Sequence, residues 1–143
     1  MRIEVDHSGE IELQKFQDPP DGDLYIATSQ ENIPFEIKRV YFINKLQNKD
    51  AVRGKHAHKE LTQAIFCING SFVLSLHDGR NKQEVLLNDP SSGVILGPML
   101  WHEMKDFSKD CVILVFADGP YEKDDYIRDY DDFAGSAGKI RNP

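Results

Sequence analysis

From residue 11 onward the chain is a succession of short apolar segments cut by turn residues: IELQKF, then DPPDGD, LYIAT, IKRVYFINKL, QAIFCING, SFVLSLHDG, EVLLN, DPSSG, VILGP and CVILVFADGP. β-Branched and aromatic residues fill the segments, and Asp, Asn, Gly and Pro bound them at near-regular spacing. Before residue 120 no stretch long enough for a helix keeps a 3.6-residue apolar period. The pattern predicts an all-β sandwich or barrel. Asn69-Gly70 and Asp78-Gly79 each lie between apolar runs, which predicts tight hairpins and a meander over residues 63 to 88.

A chain of 143 residues can bury a core without disulfides or a structural metal, and one domain is expected over residues 1–135. The segment YEKDDYIRDYDDF (121–133) changes character, with acids interleaved among aromatics. It is expected to form a short helix or a strap over the barrel, anchored by Tyr126, Ile127, Tyr130 and Phe133. Small and polar residues then predict a flexible tail over 136–143.

The start of the chain alternates charged and apolar residues instead of holding a secretory apolar run, and CVILVFA is too short to span a bilayer. A soluble, cytoplasmic protein is expected. Cys67 and Cys111 lie in apolar stretches with no second Cys or His at ligand spacing, so both read as small buried thiols. The net charge of −7 speaks against nucleic acid and anionic membranes as partners. Positive charge is nevertheless concentrated: residues 38 to 59 hold Lys38, Arg39, Lys45, Lys49, Arg53, Lys55 and Lys59 against Asp50 alone, about +6, leaving about −13 for the rest. Such a run is either a solvated face or an anion site, with phosphate the obvious anion.

Within that stretch stands RGKHAHKELTQ (53–63). His56 and His58, two apart on a strand, present both imidazoles to one face. From Gly54 the residues run Gly-x-His-x-His-x4-Gln-x6-Gly, which resembles the first signature of cupins, where a Glu ligand stands at the Gln63 position. The second signature is partly matched in GVILGPMLWH (93–102), with His102 one residue early and a glycine missing. An amide is a poor ligand for a first-row divalent metal, so a metal-free site without cofactor is expected. Proton transfer is the chemistry left to two imidazoles on one wall, suited to enolisation beside a carbonyl.

NIPFEIKRVYFI, RGKHAHKELTQAIFCINGSFVLSLHDG, GPMLWHEMKDFS, CVILVFAD and YEKDDYIRDYDDF together resemble the WxcM-like sugar-nucleotide isomerases, the TDP-4-keto-6-deoxyglucose 3,4-ketoisomerases. The resemblance covers about residues 10 to 133. It implies a cupin, RmlC-like jelly-roll barrel and a homodimer, often with exchanged N-terminal strands. It further implies a cytoplasmic, metal-independent isomerase that moves the ketone of a TDP-linked sugar from C4 to C3 through an enediol. The product would feed an aminotransferase making a 3-amino-3,6-dideoxyhexose for surface polysaccharide.

Carried over by position, His56 and His58 would be the acid/base residues and Tyr41 would orient or polarise the sugar. Arg53 and Arg39 would hold the diphosphate or the enediolate, since guanidinium forks suit phosphate oxygens. Lys59 is a further substrate-binding candidate, Gln63 would hydrogen-bond within the cavity, and His102 would line its sugar end. Relatives sharing WHEM have Asp-x-Arg-Gly-x-Leu at the early turn, whereas Asp21 stands here where that Arg is expected. His102 points to the galacto product, whereas Asp21 leaves that configuration open and leaves room for a changed substrate or lost activity. A related epimerase and a non-catalytic sugar-nucleotide-binding cupin are the alternatives.

Overall fold

The structure, a computed structural model, describes residues 2–141. Two five-stranded antiparallel sheets make up the body. The first is ordered β1 (Ser8–Glu12), β9 (Ser92–Leu96), β6 (Gln63–Asn69), β11 (Val112–Ala117) and β4 (Arg39–Ile43). The second runs β12 (Tyr126–Ile127), β5 (Arg53–His58), β10 (Trp101–Lys105), β7 (Phe72–His77) and β8 (Lys82–Leu87). A separate hairpin joins β2 (Gln14–Asp18) to β3 (Gly22–Ile26).

Alternation along the strands builds the core between the sheets. Ile65, Cys67, Val94, Leu96, Ile113 and Val115 from the first meet Phe72, Leu74, Leu76, Val85, Leu87 and Met104 from the second. β6 is apolar on both faces because both are covered, as a central strand's continuous apolar run requires. Its outward Ala64 and Phe66 pack with Ile11, Leu13, Ile33 and Phe116. Among the described residues no ladder joins the two sheets edge to edge, so the all-β expectation is met by a jelly-roll sandwich of facing sheets.

The expected meander over 63–88 is half right. β7 and β8 pair as a hairpin across Asp78-Gly79, with the Asp78 carboxylate accepting the amides of Arg80 and Asn81. Asn69-Gly70 instead carries the chain from one sheet to the other. Tertiary partners override the local turn signal here. Ser71 N–H donates to Ser108 Oγ, Ser108 N–H donates back to the Ser71 carbonyl, and Asn69 Nδ2 donates to the Asp110 carbonyl. Gly70, at φ 74°, fits this corner because a Cβ there would lie 2.1 Å from Ser108 Oγ.

The C-terminal segment is both strap and helix. A 3₁₀ turn (Lys123–Asp125) leads into β12, and α1 (Tyr130–Arg141) follows. Asp129 caps α1 by accepting the Asp132 amide, the role its carboxylate suits at a helix start. Phe133 and Ala137, one turn apart, bury against Ala57 and Trp101 on the outer face of the second sheet. The helix therefore continues beyond residue 135, where a flexible tail was expected, and Ala137 is only 3% exposed; residues 142 and 143 of that tail lie outside the described residues. Among the described residues no helix is long and apolar enough to cross a membrane. Cys67 and Cys111 are both buried and unbridged, their sulfurs 3.8 Å apart.

Candidate active site

The RGKHAH segment does not lie as a regular strand. β5 pairs with β10 as His102↔His56 and then Glu103↔Gly54, so Lys55 is an extra residue in the ladder. Gly54 and Lys55 take left-handed conformations, φ 82° and 56°, as a bulge demands. At Gly54 a Cβ would stand 2.9 Å from the His102 carbonyl oxygen. This bulge aims His56 at its neighbours.

Three imidazoles meet there. The His56 ring is edge-on to His58, centroids 4.9 Å apart, and to His102 at 4.6 Å, while His58 and His102 are near parallel at 6.1 Å. One ring nitrogen from each lies within 4.8 Å of the others. His58 and His102 are 2% and 3% exposed. His56 is the ring that lines the open cavity of about 360 Å³, together with Arg39, Tyr41, Arg53, Met104 and Tyr126.

The outer nitrogens are anchored. His56 Nδ1 contacts the Gly54 carbonyl at 2.9 Å, and His58 Nδ1 contacts Asp125 Oδ2 at 3.1 Å. Both carbonyl and carboxylate are acceptors, and a neutral ring that donates from Nδ1 keeps Nε2 as its basic nitrogen. Among the described residues His58 Nε2 is buried without a hydrogen-bond partner. Burial, then the neighbouring His58, lowers the His56 pKa to about 4. Burial lowers that of His58 too, with the Asp125 carboxylate opposing it, and burial with both other histidines pushes His102 well down. The cluster is a set of neutral bases at neutral pH.

Tyr41 and Gln63 form the opposite wall. Gln63, 2% exposed, donates from Nε2 to the Tyr41 hydroxyl oxygen at 2.9 Å. Burial raises the Tyr41 pKa, which keeps the hydroxyl protonated and able to donate onward. The Arg39 guanidinium lies 5.4 Å from the Tyr41 ring centroid, and its Nε is buried without a partner. Arg53 stands at the exposed rim.

His56, Tyr41, Arg39 and Arg53 line one cavity, with the rings of His58 and His102 against His56 and Gln63 bonded to Tyr41. Lys59 is not with them. It lines a different concavity, about 620 Å³, with Lys38, Glu60, Asp118 and Glu122 and no imidazole. Asp21 sits in the β2–β3 turn, its amide donating to the Asp18 carbonyl, and does not line the histidine cavity. Three neighbours escaped sequence reasoning. Tyr126 was expected only as an anchor, yet its ring is 4.8 Å from His56 and 4.5 Å from His58, with the Arg128 guanidinium 4.2 Å from its centroid. Asp125 is the third, visible in the sequence only as one acid among six in an acidic segment.

Three histidine nitrogens at such spacing are a possible ligand set for a divalent metal. The residue a cupin metal site would use as its carboxylate is Gln63, however, whose amide is engaged with Tyr41. What the site is equipped to do unaided is move protons. It sets neutral imidazoles beside a hydroxyl donor, with two guanidinium groups available for anionic oxygens.

Comparison with known proteins gives the family. Residues 6–138 match the family model described as FdtA: WxcM-like, C-terminal. A TDP-4-oxo-6-deoxy-alpha-D-glucose-3,4-oxoisomerase of Aneurinibacillus thermoaerophilus is 47% identical over 119 residues, 83% of this chain and 85% of that protein. QdtA, a sugar 3,4-ketoisomerase of Thermoanaerobacterium thermosaccharolyticum solved in complex with TDP, gives a TM-score of 0.92 at 40% identity, covering 96% of this chain and 98% of that one. A mutant of QdtA in complex with TDP-4-keto-6-deoxyglucose gives 0.91 at 40% identity, covering 95% and 97%. On the family model and the 47% identity over most of both chains, this chain belongs to the WxcM-like family.

Proposed function

We propose that this protein is a metal-independent sugar-nucleotide 3,4-ketoisomerase acting on TDP-4-keto-6-deoxy-D-glucose. The observation that carries the reading is the convergence of His56, His58 and His102, one ring nitrogen each within 4.8 Å, beside a cavity lined by Tyr41, Arg39 and Arg53. A histidine removes the proton on C3 while O4 takes up a proton, and the C3=C4 enediol forms. O3 then loses its proton as the C3 ketone forms, and C4 receives a proton. No electron leaves the sugar, so no redox cofactor is needed. The Tyr41 hydroxyl is placed to donate to the sugar oxygen on which charge develops, and the guanidinium groups to hold the diphosphate.

The active unit is a cytoplasmic homodimer of one-domain chains. β2 is exposed throughout, and Phe16, Leu24, Val40 and Phe42 are more than half exposed. Val40 and Phe42 lie on β4, an edge of the first sheet, where an unpaired strand with outward apolar side chains suits a second copy. Asp21, at the hairpin tip, would reach a neighbour's cavity through such an exchange. The product's role is to supply a 3-ketosugar for amination in polysaccharide synthesis.

Incubating the purified protein with TDP-4-keto-6-deoxyglucose and following the carbonyl carbon by ¹³C NMR tests the activity. The carbonyl signal should move from C4 to C3; a ketone remaining at C4 contradicts it.

A further inference from the structure

Among the groups around the histidine cluster that the chemistry above leaves without a task, the carboxylate of Asp125 is hydrogen-bonded to a catalytic ring. Its Oδ2 meets His58 Nδ1 at 3.1 Å and accepts the Leu61 amide at 3.2 Å, while Oδ1 accepts the Glu60 amide at 2.8 Å. The backbone fixes both partners: the Lys59 amide donates to the Asp125 carbonyl, the Met99 amide donates to the His58 carbonyl, and Tyr126 pairs with His58 in the β12–β5 ladder. His58 is therefore held from three sides, and one ring atom, Nε2, is buried with no partner. A buried polar atom left unpaired calls for a reason, of which a catalytic one is the most direct here.

We infer that Asp125 is a positioning residue of this site, locking His58 in the tautomer that carries its proton on Nδ1 and leaves Nε2 as the free base within the three-histidine cluster. The inference rests on the ketoisomerase reading for its kinetic consequences but not for its structural content. His56 and His58 then differ in kind. His56 has only a neutral carbonyl behind it and faces the cavity; His58 has an anion behind it and sits deeper, so the carboxylate favours the protonated form of His58 over that of His56. The charged and titratable groups around His58 are Asp125 and Arg128 from the C-terminal strap, His56 from β5, His102 from β10 and Arg39 from β4, with the Tyr126 ring against it. Asp125 is the anion hydrogen-bonded to the ring.

Asparagine at 125 has one acceptor oxygen where three donors now converge. If its NH₂ turns toward His58, the ring must give up the Nδ1 proton and become the wrong tautomer. The decisive measurement is therefore ¹⁵N NMR of the histidine rings in the wild-type protein, with His58 assigned by the loss of its signals in His58→Asn. An Nδ1–H, Nε2-unprotonated His58 at neutral pH is expected, and this readout needs neither turnover nor a mutated Asp125. Nε2–H in the wild type overturns the inference, whatever the enzyme does. In Asp125→Asn, kcat should fall by about tenfold or more with KM changed less than about threefold, and the acidic limb of kcat should move to lower pH. If Asp125 serves only to tie down the turn at Glu60 and Leu61, the variant loses thermal stability while its tautomer and pH profile stay those of the wild type, and the inference fails. A wild-type protein with the expected tautomer but no isomerase activity would instead count against the functional reading alone.

Discussion

The imidazole of His56 stands edge-on to that of His58, centroids 4.9 Å apart and planes at 80°. In that arrangement the two rings do not stack, and each presents its own ring nitrogens as acid or base. Replacing either with Asn, which cannot take a proton, should lower turnover by at least about tenfold while the fold persists. Steady-state rates with circular dichroism as a folding control check this; full activity in either variant contradicts the paired role.

The same burial makes the protein sensitive to acid. A histidine whose pKa is lowered on folding binds its proton more readily when unfolded, so stability is full above about pH 6.5 and falls as pH drops toward the folded pKa, about 4 for His56. The loss approaches about 1.4 kcal/mol per pH unit for each such group. Urea midpoints measured between pH 7.5 and 4.5 should decline, less steeply in His56→Asn. An equal decline in the variant would place the sensitivity elsewhere.

Gly54 carries the bulge that aims His56. With φ 82° and an added Cβ only 2.9 Å from the His102 carbonyl oxygen, Gly54→Ala should cost about 1–3 kcal/mol in strain and lower activity more than a comparably destabilising core variant. Chemical denaturation paired with kinetics separates the two effects. Wild-type stability in this variant would show that β5 relaxes freely.

Metal removal distinguishes the proton-transfer reading from a metal-assisted one. Since Gln63 donates to Tyr41, dialysis against EDTA should leave turnover within about twofold of the untreated protein. Activity lost to the chelator and restored by a divalent cation would assign the three histidines to a metal instead.

Phe42, 65% exposed on the edge strand β4, would be covered by the second chain of the proposed homodimer. Phe42→Asp should convert a dimer into monomers by sedimentation velocity; a wild-type protein that is already monomeric removes the proposed exchange.

What the sequence reveals depends on how far apart the cooperating residues lie. The apolar runs FVLSLH and QAIFC mark strands that the structure buries, because burial is written locally in each. Gln63 and Tyr41 come from strands that share β11 as neighbour, and motif resemblance named both. Asn69-Gly70 misled because the signal for a turn does not say which sheet the next strand joins; Ser108 and Asp110 decide that from across the molecule. Lys59 follows the His-x-His pair directly, yet the chain turns there and sends it to another surface. Asp125 was illegible for the opposite reason: 67 residues separate it from His58, and Asp124 beside it offers the same side chain.

These histidines are expected to take a proton from C3 of a ketosugar and to deliver a solvent-exchanged proton to C4. Running the reaction with TDP-4-keto-6-deoxyglucose in deuterated water and reading the sugar by proton NMR tests it most directly. The expected product is a 3-ketosugar bearing solvent deuterium at C4. Substrate recovered with all its protons in place, or deuterium at C3 with the ketone still at C4, would contradict it.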